Sequence, residues 1–369
     1  MKRTRFTVGL VVICASATSF ADLTFGGARA AGMGGAGLAL PFDIGNNYRM
    51  NPAFLAFGSK SPTLQFPSLG YKLDGFSISN VRDVVGNINN GALDASGILS
   101  LARKYATEAK AVSFGGNLGV KFGGLAIGAS GEGGINSKPN AALQAWAQNG
   151  GDVNNVDAGS RLDAYGYGYQ QYEIGYGNSV RTKAGKFTVG ANFRRVKAYY
   201  AHKFADQATI QNNNQNGVQN GSGLTSDFDS KESTGLDIGV LYNFPKVNNL
   251  FLGGLVQNAM EPNIKFNYEA PGGGNPITQN GFDPYKRTYN LGLGYAQDRL
   301  MLAADWIDIG NHASAQQLRY GAEFALGKNA FLRAGYNSQT AFTYGLSISG
   351  FNIQLGGKSP LTLTSVIRF

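Results

Sequence analysis

From residue 110 onward this sequence alternates, and the alternation constrains the fold more than any other feature. In Leu236-Asp237-Ile238-Gly239-Val240-Leu241-Tyr242 the even positions are apolar, while Asp237 and Gly239 face the other way. Leu318, Tyr320, Ala322, Phe324 and Leu326 oppose Arg319, Gly321 and Glu323. Phe342, Tyr344, Leu346 and Ile348 oppose Thr343, Gly345, Ser347 and Ser349, and Phe351, Ile353 and Leu355 oppose Asn352 and Gln354. Period two marks strands with unlike faces. A soluble sandwich would alternate too, so loop lengths must decide. Counted from Pro62, every second strand is followed by a short turn, at 122–124, 178–185, 243–248, 296–298, 326–329 and 349–350. The intervening connections at 76–109, 138–161, 205–232 and 268–285 are long. Short turns on one side and long loops on the other are the pattern of an outer-membrane barrel.

The expected fold is therefore all-β, a transmembrane antiparallel β-barrel of about fourteen strands, with each strand needing about 9–11 residues to cross. No stretch after the N-terminus is long and apolar enough for a spanning helix. In lipid only helices and closed barrels satisfy every backbone group. The barrel is expected over residues 61–369. The last strand, Leu361-Thr362-Leu363-Thr364-Ser365-Val366-Ile367-Arg368-Phe369, alternates and ends on an aromatic residue. Phe369 is thus a candidate insertion signal for the barrel-assembly machinery.

The chain opens with a basic n-region, Met1-Lys2-Arg3-Thr4-Arg5, followed by an apolar run. Ser19-Phe20-Ala21 satisfies the small-x-small cleavage rule, so residues 1–21 are expected to be a signal peptide cleaved after Ala21. The run is too short to span as a helix. The one cysteine, Cys14, lies inside it, which leaves no thiol nucleophile, disulfide or thiolate metal site after cleavage. Export fits the outer membrane of a Gram-negative-type bacterium. The net charge of +9 at pH 7 includes Lys2, Arg3 and Arg5. The remaining charges are scattered, which argues against a nucleic-acid partner and favours outer-membrane lipids and lipopolysaccharide.

Residues 22–60 break the pattern. "FGGARAAGMGGAGLALPFDIGNNYRMNPAFLA" is rich in glycine and alanine without a clear period. It is too apolar for a solvent tail. Irregular backbone is tolerated at membrane depth only when buried in protein, and a barrel of this size has a lumen to fill. Glycine supplies unusual dihedrals and Pro52 a fixed turn, so 22–60 is expected to be a luminal plug.

These residues also carry a resemblance. Arg29, then Gly32, Met33, Gly34, Gly35 and Ala36, then Asn51, Pro52 and Ala53, resemble the N-terminal signature of the FadL-type outer-membrane transporter superfamily and its TraF-like and PorV-like relatives. "LDIGVLYNF" and "FLGGLVQNAMEP" resemble their later strands, and the helix-like pattern of 79–109 resembles the TraF-like branch. The resemblance implies that the signature is a hatch. It implies one of two activities: passive passage of a hydrophobic or amphiphilic ligand, or a non-transporting accessory barrel serving conjugation or secretion proteins.

Alternation places Glu132, Glu173, Asp237, Asp305 and Glu323, with Arg194, Arg319, Arg333 and Arg368, on the lumen face. Such mixed charges hold a plug by paired hydrogen bonds or line a water path. Tyr165, Tyr167, Tyr169, Tyr199, Tyr200, Tyr289 and Tyr295 are expected in an aromatic girdle, with a sugar-binding platform as the alternative. Tyr165, Tyr167 and Tyr169 are odd, whereas Tyr172, Ile174 and Tyr176 are even, so a bulge is expected near Gln170-Gln171. In FadL-like barrels a strand kink opens laterally. Neither His202 nor His312 has a metal-ligand neighbour at usable spacing; His202 reads as a solvated rim histidine, the alternative being an Asp-His arrangement with Asp206 or Asp227 of the kind a barrel enzyme needs at its outer rim, and neither an enzyme nor a cofactor or metal is expected. Residues 211–224 read as a low-complexity external loop.

Overall fold

A computed structural model describes residues 27–40, 48–57, 62–74, 110–150, 155–183, 185–207, 229–245, 247, 249–268, 277–282, 285–313, 316–339, 341–349, 351–356 and 361–368. The signal peptide, the helix-like segment 79–109, the low-complexity loop 211–224 and Phe369 lie outside the described residues.

Sixteen strands are described, and fourteen of them close a barrel. The barrel strands are β1 (Thr63–Asp74), β2 (Lys110–Phe122), β3 (Leu125–Pro139), β4 (Arg161–Thr182), β5 (Gly185–Asp206), β6 (Asp229–Asn243) and β7 (Leu250–Met260). They continue, after a small external hairpin of β8 (Phe266–Tyr268) and β9 (Ile277–Phe282), with β10 (Thr288–Gln297), β11 (Leu300–Ile307), β12 (Gln317–Gly327), β13 (Ala330–Asn337), β14 (Ala341–Ile348), β15 (Phe351–Gly356) and β16 (Leu361–Arg368). Each barrel strand pairs antiparallel with its neighbours. β1 also pairs with β16, Thr63 opposite Arg368 and Tyr71 opposite Leu361. That pairing leaves no edge strand in the bilayer.

The register across β4, β5 and β6 shows why the sequence alternates. One face carries the rows Val180–Phe187–Tyr242, Asn178–Val189–Val240, Tyr176–Ala191–Ile238 and Ile174–Phe193–Leu236. Tyr172, Val189 and Val240 are exposed on that face. The other face carries Gly177–Gly190–Gly239, Gly175–Asn192–Asp237, Glu173–Arg194–Gly235 and Gln171–Val196–Ser233, and Glu173, Arg194 and Asp237 are buried there. The protein is inside-out: apolar side chains meet lipid and polar ones fill the interior. From Phe187 to Phe193 the apolar rows climb roughly 20 Å along the strand, after which the same face carries Arg195 and Lys197.

β4 and β5 are each 22 residues long, about twice what a crossing needs, so this hairpin stands well above the outer leaflet. The loop between β3 and β4 folds over the same side as α2 (Ala141–Gln148), with Leu143, Trp146 and Ala147 buried. Asn140 caps it by accepting from Leu143 N at 3.0 Å and also accepts from Arg161 N at 3.0 Å.

Strand β4 corrects the expected bulge. Its register against β3 and β5 is unbroken through Gln170 and Gln171. Gln170 faces out and Gln171 in, so Tyr167 and Tyr169 point into the lumen while Tyr172 and Tyr176 face lipid. The change of face was an artefact of assigning every tyrosine to the membrane side. For the same reason Tyr167, Tyr169 and Tyr200 are not girdle residues: all three are buried in the interior. Tyr289 is exposed on the outer face, and Phe187, Tyr242 and Phe244 form an aromatic cluster near the periplasmic end, with neighbouring centroids 5.1 and 4.8 Å apart. An irregularity does occur in β7: its register against β6 slips between Leu236 and Ile238, and Asn258 adopts φ +53°.

The outer face yields a direct expectation. Ile238→Arg puts a charge near the middle of the lipid band and should destabilise the barrel by about 2–4 kcal/mol in bilayer unfolding titrations. Thr234→Arg, at the edge of the band, should cost about 0–1 kcal/mol.

Candidate functional site: the N-terminal segment in the barrel interior

Residues 27–40 and 48–57 lie against the inner wall. α1 (Gly27–Gly32) packs near β13 to β16, a turn follows it, and Pro52–Ala56 forms a 3-10 turn near β4, β5 and β6. Asn51 makes that turn, accepting from Ala53 N at 3.0 Å. Its amide also donates to Leu38 O at 3.0 Å and Val240 O at 3.1 Å, tying both halves of the segment to β6.

The approach is close because the wall is bare of side chains there. A methyl group at Gly190 would strike Pro52 O, one at Gly239 would strike Asn51 Oδ1, and one at Gly335 would strike the Met33 carbonyl carbon. At Gly253 and Gly321 the obstruction would be Leu38 O at 2.7 Å and Met33 O at 2.6 Å. The inward glycines thus form a track around the interior on which the segment's backbone rests. The segment reciprocates at Gly34, whose φ is +70° and whose added methyl would lie 2.7 Å from both the nitrogen and the oxygen of Tyr336. Gly34 therefore faces wall backbone. Gly35 faces a side chain: an added methyl would lie 3.0 Å from Arg319 Nη1.

Charge fixes the orientation. Arg29 donates to both oxygens of Glu323, with Nε at 2.8 Å from Oε2, and Arg333 Nε reaches the same oxygen at 2.5 Å. Arg49 pairs with Glu173 and donates to Leu118 O and Ala129 O at 3.1 and 3.2 Å. Asn192 donates to the second Glu173 oxygen at 3.0 Å. Asp305 Oδ2 accepts from Gly37 N at 2.8 Å and Leu38 N at 3.0 Å. Thr343 Oγ1 accepts from Gly34 N at 2.9 Å and donates to Gly32 O at 3.3 Å. Arg319 Nη1 donates to Gly35 O at 3.3 Å. Met33, Ala36 and Leu40 pack with Ala303, and Ala53 and Phe54 with Leu241 and Phe251.

Of the charged residues assigned to the lumen, Glu173, Asp305, Arg319, Glu323 and Arg333 meet the segment directly or through one partner. Of the other four, Arg368 has its side chain outside the described residues, and Arg194, Asp237 and Glu132 lie nearer the outside. Arg194 donates to Asp237 at 2.9 Å, to Gln171 at 3.1 Å and to Asn258, and Asn258 N donates to Asp237 at 2.8 Å. The β7 irregularity thus feeds a backbone N–H to a wall carboxylate. Glu132 accepts from the hydroxyls of Tyr167 and Tyr169, both at 3.3 Å. Beyond this layer Tyr167, Tyr169, Val196, Ala198, Tyr200, Ile264, Phe266 and Tyr285 form a buried cluster, with Phe266 stacked on Tyr200 at 5.4 Å. Burial, opposed in part by the Arg194 charge, pushes the Tyr285 phenol above its usual value and keeps it neutral.

Arg49, Thr343, Asn192 and Asn258 were missed by sequence reasoning. The glycine track had a signal, since alternation already put Gly239, Gly321 and Gly345 on the lumen face. His312 sits in an external turn, edge-on to Tyr289 at 5.5 Å. The side chains of Arg368, His202 and Asp206, and all of Asp227, lie outside the described residues. Among the described residues no group of three or more His, Cys, Asp or Glu could hold a metal ion.

A family model described as "F plasmid transfer operon, TraF, protein" matches residues 77–348. The chain belongs to that family. It also has the outer-membrane barrel fold of the FadL-type channels. A solved structure titled "TodX monoaromatic hydrocarbon channel deltaS2 mutant" is 13% identical and superposes with a TM-score of 0.50, covering 94% of this chain and 97% of that one. The toluene transporter TodX of Pseudomonas putida is 14% identical, with a TM-score of 0.44 over 94% of this chain and 96% of that one. Outer membrane phospholipase A from Escherichia coli is 13% identical, with a TM-score of 0.30 over 83% of this chain and 92% of that one. No curated protein matches the sequence.

Arg49→Ala should destabilise the folded barrel by about 3–5 kcal/mol, because it leaves Glu173 buried without its cation. Replacing both Arg49 and Glu173 by Met should recover most of that loss. Unfolding midpoints of the two variants, read from heat-modified gel mobility, check the expectation.

Proposed function

We propose that this TraF-family barrel is a passive outer-membrane channel for hydrophobic or amphiphilic small molecules, exported by a signal peptide cleaved after Ala21. Residues 22–60 act as its hatch. The observation that supports the reading is the stratified lumen: an aromatic layer outside, a polar layer beneath it, and the N-terminal segment against the inner wall of the periplasmic half. An aqueous pore needs no buried aromatic cluster at its mouth, whereas an apolar solute gains there about 25 cal/mol per Å² of surface withdrawn from water. The hatch motif residues Arg29, Gly32 to Ala36 and Asn51 to Ala53 hold the segment on the glycine track. No catalytic step is assigned to the barrel.

The test is uptake of a labelled apolar compound by cells that make the protein against cells that lack it. Tyr200→Asp should reduce uptake by about tenfold, the equivalent of ~1.4 kcal/mol of lost binding. Uptake indifferent to the presence of the barrel overturns the reading. Gly34→Leu, which overpacks the hatch at a cost of about 1–3 kcal/mol, should leave the barrel inserted and raise leak to bulky antibiotics. The family match over 77–348 favours a second reading, an accessory barrel for transfer or secretion proteins. Under it, loss of the protein would impair transfer or secretion and leave uptake unchanged.

A further inference from the structure

The two ends of the barrel differ in charge. At the external end Asp229, Glu232 and Glu261 are interspersed with Lys231, Lys265 and Arg287. The periplasmic turns carry Arg181, Lys183, Lys186, Arg299 and Lys328, and Asp298 is the one acidic residue among their described positions. Three of the cations belong to the β4–β5 hairpin tip, where Arg181 lies directly opposite Lys186. Like charges directly opposite destabilise a strand pair. With the described residues, Arg181, Lys183 and Lys186 form no ion pair.

The direction of this cluster matters as much as its sign. Lys186 Nζ sits over the ring of Phe57 at 4.1 Å, and Phe57 is where the described part of the N-terminal segment ends. Lys121 donates to Phe57 O, and to Phe54 O at 3.4 Å. Arg181, paired with Lys186 by register, shares that face. The next pair, Val180 and Phe187, is exposed on the lipid side. Arg181 and Lys186 therefore lie on the luminal face of the periplasmic hairpin tip, beside Phe57, while the apolar pair next to them faces the bilayer.

We propose that the periplasmic mouth, centred on Arg181, Lys183 and Lys186 around Phe57, docks an acidic segment of a periplasmic protein. Carboxylates of such a segment relieve the Arg181–Lys186 repulsion, and Arg181 offers a fork that binds a carboxylate through two hydrogen bonds. Bilayer phosphates, the other anions at this level, meet the opposite face of the hairpin. The inference stands apart from the channel reading, because it concerns the turn end and not the lumen.

The probe is a short labelled Glu/Ala peptide, titrated against the full-length barrel in nanodiscs of zwitterionic lipid, with a Gln/Ala peptide as control. The parent should bind the acidic peptide, lose it as salt rises, and ignore the control. Arg181→Glu combined with Lys183→Glu and Lys186→Glu should weaken binding by about tenfold or more. Lys183→Glu alone, at an exposed turn position, gives a smaller weakening that cannot be ascribed to misfolding. Equal affinity for parent and both variants overturns the proposal. So does loss of peptide binding when phosphatidylglycerol is added to the nanodisc, since the cations would then belong to the bilayer. Uptake of apolar compounds is measured on Lys183→Glu, which leaves the Lys186–Phe57 contact in place, and should not change, which keeps this test separate from that of the channel.

Discussion

Every backbone N–H and C=O placed in hydrocarbon must find a partner within the protein, and the rest of this structure follows from that requirement. Strands satisfy it only if the sheet has no edge. The β1–β16 pair, with Thr63 opposite Arg368, supplies the closure. Once closed, the sheet inverts the usual arrangement of a globular protein: Ile238 and Val240 are exposed to lipid, while Asp237 and Gly239, which alternate with them, are buried. The interior so created is polar and must be filled or solvated.

The N-terminal segment fills part of it by two devices that depend on one another. Inward glycines such as Gly190, Gly239 and Gly335 let its backbone touch the wall. At that range the wall carboxylates Glu173, Glu323 and Asp305 become buried, and to each the segment returns a guanidinium or backbone N–H, joined at Glu323 by Arg333 and at Glu173 by Asn192 from the wall. A buried ion pair adds little net stability, yet losing one partner is costly. The pairs therefore specify position more than they add strength. Asn51 bonds to Leu38 O, Val240 O and Ala53 N at once, which gives the Asn-Pro-Ala step its physical meaning.

Above the segment the lumen changes character. Arg194 donates to Asp237, Gln171 and Asn258, so its charge is matched by a wall carboxylate and not by the segment. The aromatic layer beyond it draws on β4, β5 and the chain after β7, with Ile264 and Phe266 folded inward. An apolar solute entering from outside meets aromatic rings before it meets charge, and the amphiphile-channel reading rests on that order. The turn end, with its concentrated cations, points to a different relation with the periplasm.

The sequence by itself determined the class of solution. Period two in 236–242 and 318–326, short turns alternating with long loops, and the absence of a spanning helix leave a barrel, because lipid tolerates nothing else. It also determined which face each residue of β6, β12 and β14 takes, since a strand has only two faces. It did not determine the faces of β4. Tyrosine is at home against lipid and in a hydrogen-bonded interior alike, and only the pairing of Tyr167 and Tyr169 with Glu132 decided for the lumen. Nor could it say that Arg29 meets Glu323 and Arg49 meets Glu173, partners 294 and 124 residues apart. Those pairings exist only once closure has brought distant strands around a common axis, within reach of a segment whose backbone the glycine track admits.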